Sequence, residues 1–166
     1  MEIPLDVSLE AAKIARAKGV RVIFDPAPPS ELPNELYGLV DIIAPNQSEA
    51  EVLTGVEVVD ADSARLAADT LLSQGVGVAI VKMGEQGVVY ADANGYGHIP
   101  AYKVDAIDTV AAGDAFAGAL AVALTEGLAI KEAVRFGAAA GALAVTKPGA
   151  QDAMPIRSEV EYLLDD

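Results

Sequence analysis

Short runs of β-branched and apolar residues, each stopped by proline or glycine, alternate along this chain with segments of helical period. That alternation narrows the fold more than any other feature. Residues 20–24 form the first run, and Asp25-Pro26-Ala27-Pro28-Pro29 ends it, because proline has no N–H to give to a ladder. Residues 40–44 form the second, ended by Pro45, and residues 78–83 form the third and most apolar, ended by Gly84. Helical spacing recurs between them. Residues 6–18 carry Val7, Leu9, Ala12, Ile14 and Ala15 with Gly19 beyond, and Asn46-Gln47-Ser48-Glu49 opens a helix to about residue 53 with Gly55 beyond. Residues 60–74 place Ala64, Leu66, Ala67, Leu71 and Leu72 on one face, and Gly75 closes that helix. Strands alternating with helices imply βαβ units, hence an α/β fold with a mostly parallel sheet. Residues 88–91 and 97–100, joined through Asp92-Ala93-Asn94-Gly95, predict a hairpin. Two helices rich in Ala and Gly follow at 115–125 and 130–145, then a loop over 146–154 and a last helix at 157–164.

The chain's 166 residues suit a single domain with a proper core, and 52% apolar residues exclude general disorder. Eleven basic residues against 25 acidic ones give a net charge of −14, which argues against nucleic acid or an anionic membrane as the main partner. A nucleotide is still accommodated where backbone N–H groups and Mg²⁺ neutralise its phosphates locally. Without cysteine there is no disulfide framework, thiolate metal site or Cys nucleophile. No apolar run is long enough to span a bilayer, and the first residues lack the basic-then-apolar order of a secretion signal. The expected location is therefore cytoplasmic. His98, the one histidine, falls in the predicted hairpin and is expected at the surface.

The chemistry concentrates in Asp108-Thr109-Val110-Ala111-Ala112-Gly113-Asp114-Ala115-Phe116-Ala117-Gly118-Ala119-Leu120. Small residues lead into a helix that opens at or near Gly113, so the first backbone N–H groups stay accessible. Those donors and the positive end of the helix dipole form an anion site. A carboxylate beside a bound phosphate repels it, so Asp114 makes chemical sense as the base that deprotonates a nucleophile attacking that phosphate. The alternative stands beside this: a first-turn acid that only complements the dipole. Likewise Asn46-Gln47-Ser48-Glu49 reads as a cap with an acid at N3, Lys82 as a solvated strand-end lysine, and Lys147-Pro148-Gly149 as a turn.

These stretches resemble landmarks of the ribokinase-like (PfkB-type) carbohydrate kinases. They occur in family order: Glu2 in Met-Glu-Ile-Pro-Leu, Asp25-Pro26-Ala27-Pro28, Pro45 to Glu51, Lys82-Met83-Gly84, the 108–120 signature, and Val145 to Gln151. The resemblance covers essentially the whole chain but only the C-terminal half or so of the family's usual length. It implies a three-layer ribokinase-like fold and transfer of phosphate from ATP to a sugar hydroxyl, D-ribose by the nearest match. In that scheme Asp114 is the general base and meets the sugar. The loop of Ala111, Ala112, Gly113 and Asp114 is the anion hole.

The resemblance further implies that Asn46 and Glu49 act near the phosphates and Mg²⁺. Lys82, Gly84, Gly87 and Gly113 would line the nucleotide, with Ala138 near the adenine. Asp108, Val110, Ala144, Lys147, Gly149 and Ala153 would form a K⁺ site, largely through backbone oxygens, and Glu2 would contact the sugar. Four positions depart from the pattern: Ala115 and Ala117 stand where relatives often carry Thr and Asn, Ala138 where an Asn often lies, and Ala153 in place of a common Ser. Residues 1–166 then correspond to the nucleotide-binding part of such a kinase, without the family's N-terminal strands, lid sheet and glycine-rich sugar segment. An apolar edge or face left open in this way invites a homo-oligomer or an N-terminal half as partner. Impaired turnover by the isolated chain is expected, and the alternative is a non-catalytic module that binds nucleotide or self-associates.

Overall fold

The computed structural model describes residues 3–165 and divides into two compact units, Met1–His98 and Ile99–Asp166. In the first unit, helix α1 (Leu5–Ala17) ends in a Schellman-type cap. Gly19 sits at φ +68° and donates to Arg16, and the Val20 N–H reaches back to the Ala15 carbonyl at 2.9 Å. Strand β1 (Ile23–Phe24), the short helix α2 (Asn34–Tyr37) and strand β2 (Ile42–Ile43) follow. Then come α3 (Gln47–Thr54), α4 (Ala61–Ser73), β3 (Val78–Lys82), a 3₁₀ turn (Gly84–Gln86), β4 (Val88–Asp92) and β5 (Gly95–Ile99).

The five strands lie side by side in chain order. β1 to β3 are parallel, with Ile23 opposite Ile42 and Ile43 opposite Ala79, and β4 runs antiparallel to β3, with Ile80 opposite Tyr90. The sheet is therefore mixed. Alternation with helices accounts for its parallel part, the 3₁₀ turn between β3 and β4 turns the chain back, and a two-residue turn at Ala93-Asn94 leads on to β5.

β1 and β2 are shorter than the five-residue runs predicted at 20–24 and 40–44. Val20 is taken by the α1 cap, and Val22 gives its N–H to the Asp41 carboxylate at 2.8 Å rather than to a neighbouring strand. The core of this unit sets Ala64, Ala67, Ala68 and Leu71 of α4 in one buried cluster with Ile43, Ala79, Val81, Val89 and Ala91 of the sheet. The opposite sheet face is buried too at Ile42, Ile80 and Val88, as expected of strands covered on both sides.

The second unit holds α5 (Ala112–Thr125), α6 (Ile130–Ala144), a 3₁₀ turn (Gln151–Ala153) and α7 (Arg157–Asp165). α5 opens one residue earlier than Gly113. Small residues let α5 and α6 approach closely: a methyl added at Gly137 would stand 3.0 Å from the Phe116 carbonyl oxygen, and one at Gly141 would stand 3.1 Å from that of Ala112. Phe116, Leu120, Val134, Ala139, Ala140 and Val160 are among its buried residues. Arg157 joins α7 to the end of α5 through both carboxylate oxygens of Glu126, and its Nε donates to Glu161 at 2.7 Å. Those carboxylates raise its pKa further above the ordinary arginine value. Among the described residues, no helix is long and apolar enough to cross a membrane.

Candidate active site

The mouth of α5 is open. Ala111 precedes it in the left-handed region, at φ 62° and ψ 6°, and no side chain among the described residues caps the helix. It is the one non-glycine residue with positive φ among the described residues, a conformation that costs an L-residue about 1–2 kcal/mol. Strain of this kind gathers where a loop is held for a purpose. Ala112 makes a long 3.4 Å bond to the Thr109 carbonyl, and Ala115 closes the first helical bond to Ala111 at 2.9 Å. The intervening N–H groups of Gly113 and Asp114 donate to no group among the described residues. Asp114 is exposed in this first turn. It borders a hollow of about 260 Å³ shared with Gly118, Ala119, Phe136, Met154 and Arg157. Unpaired donors, a helix dipole and a solvent-facing carboxylate thus meet within one turn.

The loop leading to that mouth is fastened by Asp108. One carboxylate oxygen accepts the Val110 N–H and the other accepts the Gly149 N–H, each at 3.0 Å. These bonds, Val110 first, hold the Asp108 carboxyl below its usual range. The N–H groups of Ile107 and Asp108 both donate to the Val145 carbonyl. Residues 107–110 therefore lie against residues 145–149, bringing Asp108, Val110, Ala144, Lys147 and Gly149 into one region. Ala153 is buried in the 3₁₀ turn just beyond. No group of three or more His, Cys, Asp or Glu side chains gathers anywhere among the described residues, so a cation here would rest on backbone oxygens. Two facing loops of main chain fit that requirement. Lys147 itself is turned to Glu159, with Nζ–Oε1 at 3.1 Å.

In the first unit, the C-terminal ends of β1, β2 and β3 bring together Asp25, Asn46 and Lys82. The Lys82 Nζ donates to Asp25 Oδ2 at 2.7 Å, and Asn46 bridges Lys82 in parallel register. Asn46 and Glu49 form a complete capping box. The Asn46 side chain accepts the Glu49 N–H at 2.9 Å, while the two Glu49 oxygens accept from the Asn46 N–H and Nδ2 at 2.7 and 2.8 Å. Glu49 is 3% exposed. Asparagine and glutamate oxygens suit Mg²⁺, and with both carboxylate oxygens already engaged the pair fits the ion through water rather than directly. Gly84 and Gly87 bracket the 3₁₀ turn after β3 at φ +56° and +90°, where a side chain would be strained, and the Met83 N–H closes the turn on the Gly87 carbonyl.

Ala138 is half-buried on α6, and Glu2 lies outside the described residues. His98 is exposed on β5 and pairs with the Gln86 carbonyl at 2.8 Å. Sequence reasoning missed the pairing of Asp25 with Lys82. The only signal available for it was that both residues end predicted strands.

A profile described as pfkB family carbohydrate kinase matches residues 1–157. The chain is 45% identical over 164 residues to a ribokinase of Haemophilus influenzae and 43% identical over 164 residues to one of Staphylococcus aureus. In each case the match covers 98% of this chain and 54% of the relative. Among solved structures, ribokinase of Arabidopsis thaliana complexed with ribose and ATP superposes with a TM-score of 0.93 at 34% identity, covering 99% of this chain and 54% of that one. The chain spans about half the length of the curated relatives it matches.

Proposed function

The chain belongs to the pfkB family of carbohydrate kinases, and on that premise we propose that it carries the nucleotide-binding and phosphoryl-transfer residues of an ATP-dependent sugar kinase, with D-ribose as the sugar. The observation that carries the reading is the mouth of α5, where the Gly113 and Asp114 N–H groups have no partner among the described residues and the Asp114 carboxylate is exposed beside them. Further support comes from the solved relative complexed with ribose and ATP.

In the proposed reaction a sugar hydroxyl oxygen attacks the γ-phosphorus of ATP. The new O–P bond forms as the bond to the bridging oxygen breaks, and ADP leaves. Asp114 takes the hydroxyl proton, a role that typically contributes about 10²–10⁴-fold. The N–H groups of Ala112, Gly113 and Asp114 hold the transferring phosphoryl oxygens, and such donors contribute about 10²–10³-fold each. Asn46 and Glu49 would hold Mg²⁺ through water, and the ion would neutralise phosphate charge. Lys82, Gly84 and Gly87 border the nucleotide, with Ala138 beside the adenine. Asp108, Val110, Ala144, Lys147, Gly149 and Ala153 would hold K⁺, largely through backbone oxygens, and the ion would supply a fixed positive charge.

The second reading is a non-catalytic nucleotide-binding or self-associating module. Ribose-dependent ADP release by the purified chain separates the two. Release that disappears in Asp114→Asn while ATP still binds supports transfer, whereas binding without release supports the module.

A further inference from the structure

The carboxylate of Asp25 is placed in a way that stability does not explain. Its Oδ2 accepts from the Lys82 ammonium at 2.7 Å, while its Oδ1 is buried with no hydrogen-bond partner among the described residues. Side-chain exposure is 15% for Lys82 and 28% for Asp25. An ion pair withdrawn this far from water gives up hydration for its mutual attraction and is weak evidence for stability. A buried carboxylate oxygen left unpaired makes the balance worse, and such groups call for an explanation.

Position supplies one. Asp25 directly follows β1, Lys82 is the last residue of β3, and Pro45-Asn46 follow β2 after Ala44, between them. The Lys82 N–H donates to the Pro45 carbonyl at 2.9 Å, so its backbone is fixed to the neighbouring strand end. A lysine stem is long and flexible, and the Asp25 carboxylate accepts from the ammonium at its far end. The pair thus spans three adjacent parallel strands at their carboxyl ends, outside which ligands bind in sheets of this type. In a chain of net charge −14, a fixed cation at that place offsets the general repulsion of a polyphosphate.

We propose that Asp25 is a positioning residue, holding the Lys82 ammonium at the strand ends where it meets the phosphates of a bound nucleotide. The proposal rests on the nucleotide-binding reading above. It makes a specific demand: Asp25 acts through Lys82, so the two must not act additively.

The test is calorimetric titration of the purified chain with ATP and Mg²⁺, for wild type, Asp25→Asn, Lys82→Met and the double variant. Each single change is expected to weaken ATP binding about tenfold, and the double variant by about the same factor rather than about a hundredfold. Asp25→Glu keeps the charge one methylene away and should recover part of the loss. Unchanged ATP affinity in Asp25→Asn with a lowered melting temperature would make the pair merely structural and overturn the proposal. An additive loss in the double variant would overturn it as well. Should Asp25→Asn not fold, Asp25→Glu decides in its place: full affinity overturns the proposal, and a several-fold loss absent on the Lys82→Met background supports it. A folded wild type that binds no ATP removes the nucleotide reading and this proposal together, a failure recognisable before any substitution is made.

Discussion

The same substitution, glycine to alanine inside a helix, should have opposite consequences at neighbouring places in the second unit. An interior Gly→Ala change gains about 0.8–1 kcal/mol from helix propensity alone. At Gly118 of α5 an added methyl meets no heavy atom of the described residues within 4 Å, so the gain survives intact. For a chain of this size it should raise the melting temperature by about 2–4 °C. At Gly137 of α6 the methyl would stand 3.0 Å from the Phe116 carbonyl oxygen and 3.2 Å from two of its ring carbons. Carbon contacts relax to about 3.5–4.0 Å, so α6 must back away from α5, at an overpacking cost of about 1–3 kcal/mol. The net result ranges from near neutral to a loss of about 2 kcal/mol. Gly141→Ala is intermediate in stability, with 3.1 Å to the Ala112 carbonyl and 3.7 Å to the next atom, a side-chain carbon of Phe116. It pushes on the first residue of α5, so its ATP affinity should fall by more than its stability does. Urea unfolding followed by far-ultraviolet dichroism measures all three. If Gly137→Ala stabilised as much as Gly118→Ala, α5 and α6 would not approach as described, and the reasoning would fail.

Three further outcomes follow from the same geometry. The Asp108 carboxyl has its pKa lowered by the Val110 and Gly149 N–H groups, so its contribution is present above the unfolded value of about 3.9 and is lost as pH falls through the folded value. Acid unfolding of Asp108→Asn should therefore be less steep below about pH 4 than that of wild type, and equal slopes would contradict the assignment. Ala111→Gly relieves a left-handed alanine and should raise stability by up to about 1 kcal/mol after the greater freedom of the unfolded chain is counted, whereas Ala111→Val should lower it; the reverse order of melting temperatures would refute the strain. Asp60 caps α4 by accepting the Ser63 N–H at 2.8 Å, and Asp60→Ala should cost about 1 kcal/mol in urea unfolding, with no loss contradicting a role for the cap.

What the sequence disclosed was what local chemistry decides. Asn46 sits where a cap was expected, and Gly19, Gly55 and Gly75 follow the ends of α1, α3 and α4, because each acts within one turn of itself; Asp60, read as the first residue of its helix, is the cap instead. α2 passed unnoticed: four residues between Pro33 and Gly38 are too few to display a period. The length of β1 was overread because the competitors for its N–H groups, the α1 cap and the Asp41 carboxylate, lie beyond periodicity's reach. The open mouth of α5 was legible from its run of small residues, which cannot cover a helix mouth. The left-handed turn at Ala111 was not, since alanine gives no sign of positive φ. The pairing of Asp25 with Lys82 joins residues 57 apart, and only the strand order brings them together.

The central claim is that ATP binds at the mouth of α5. Two-dimensional NMR of the purified chain titrated with ATP and Mg²⁺ tests it most directly, because the amides of Gly113 and Asp114 report on their own hydrogen bonds. The account predicts saturable shifts at those two amides, abolished by Ala112→Asp, which sets a carboxylate where the phosphate would lie. Saturation with ATP that leaves both amides unmoved, or shifts that persist in Ala112→Asp, would contradict it.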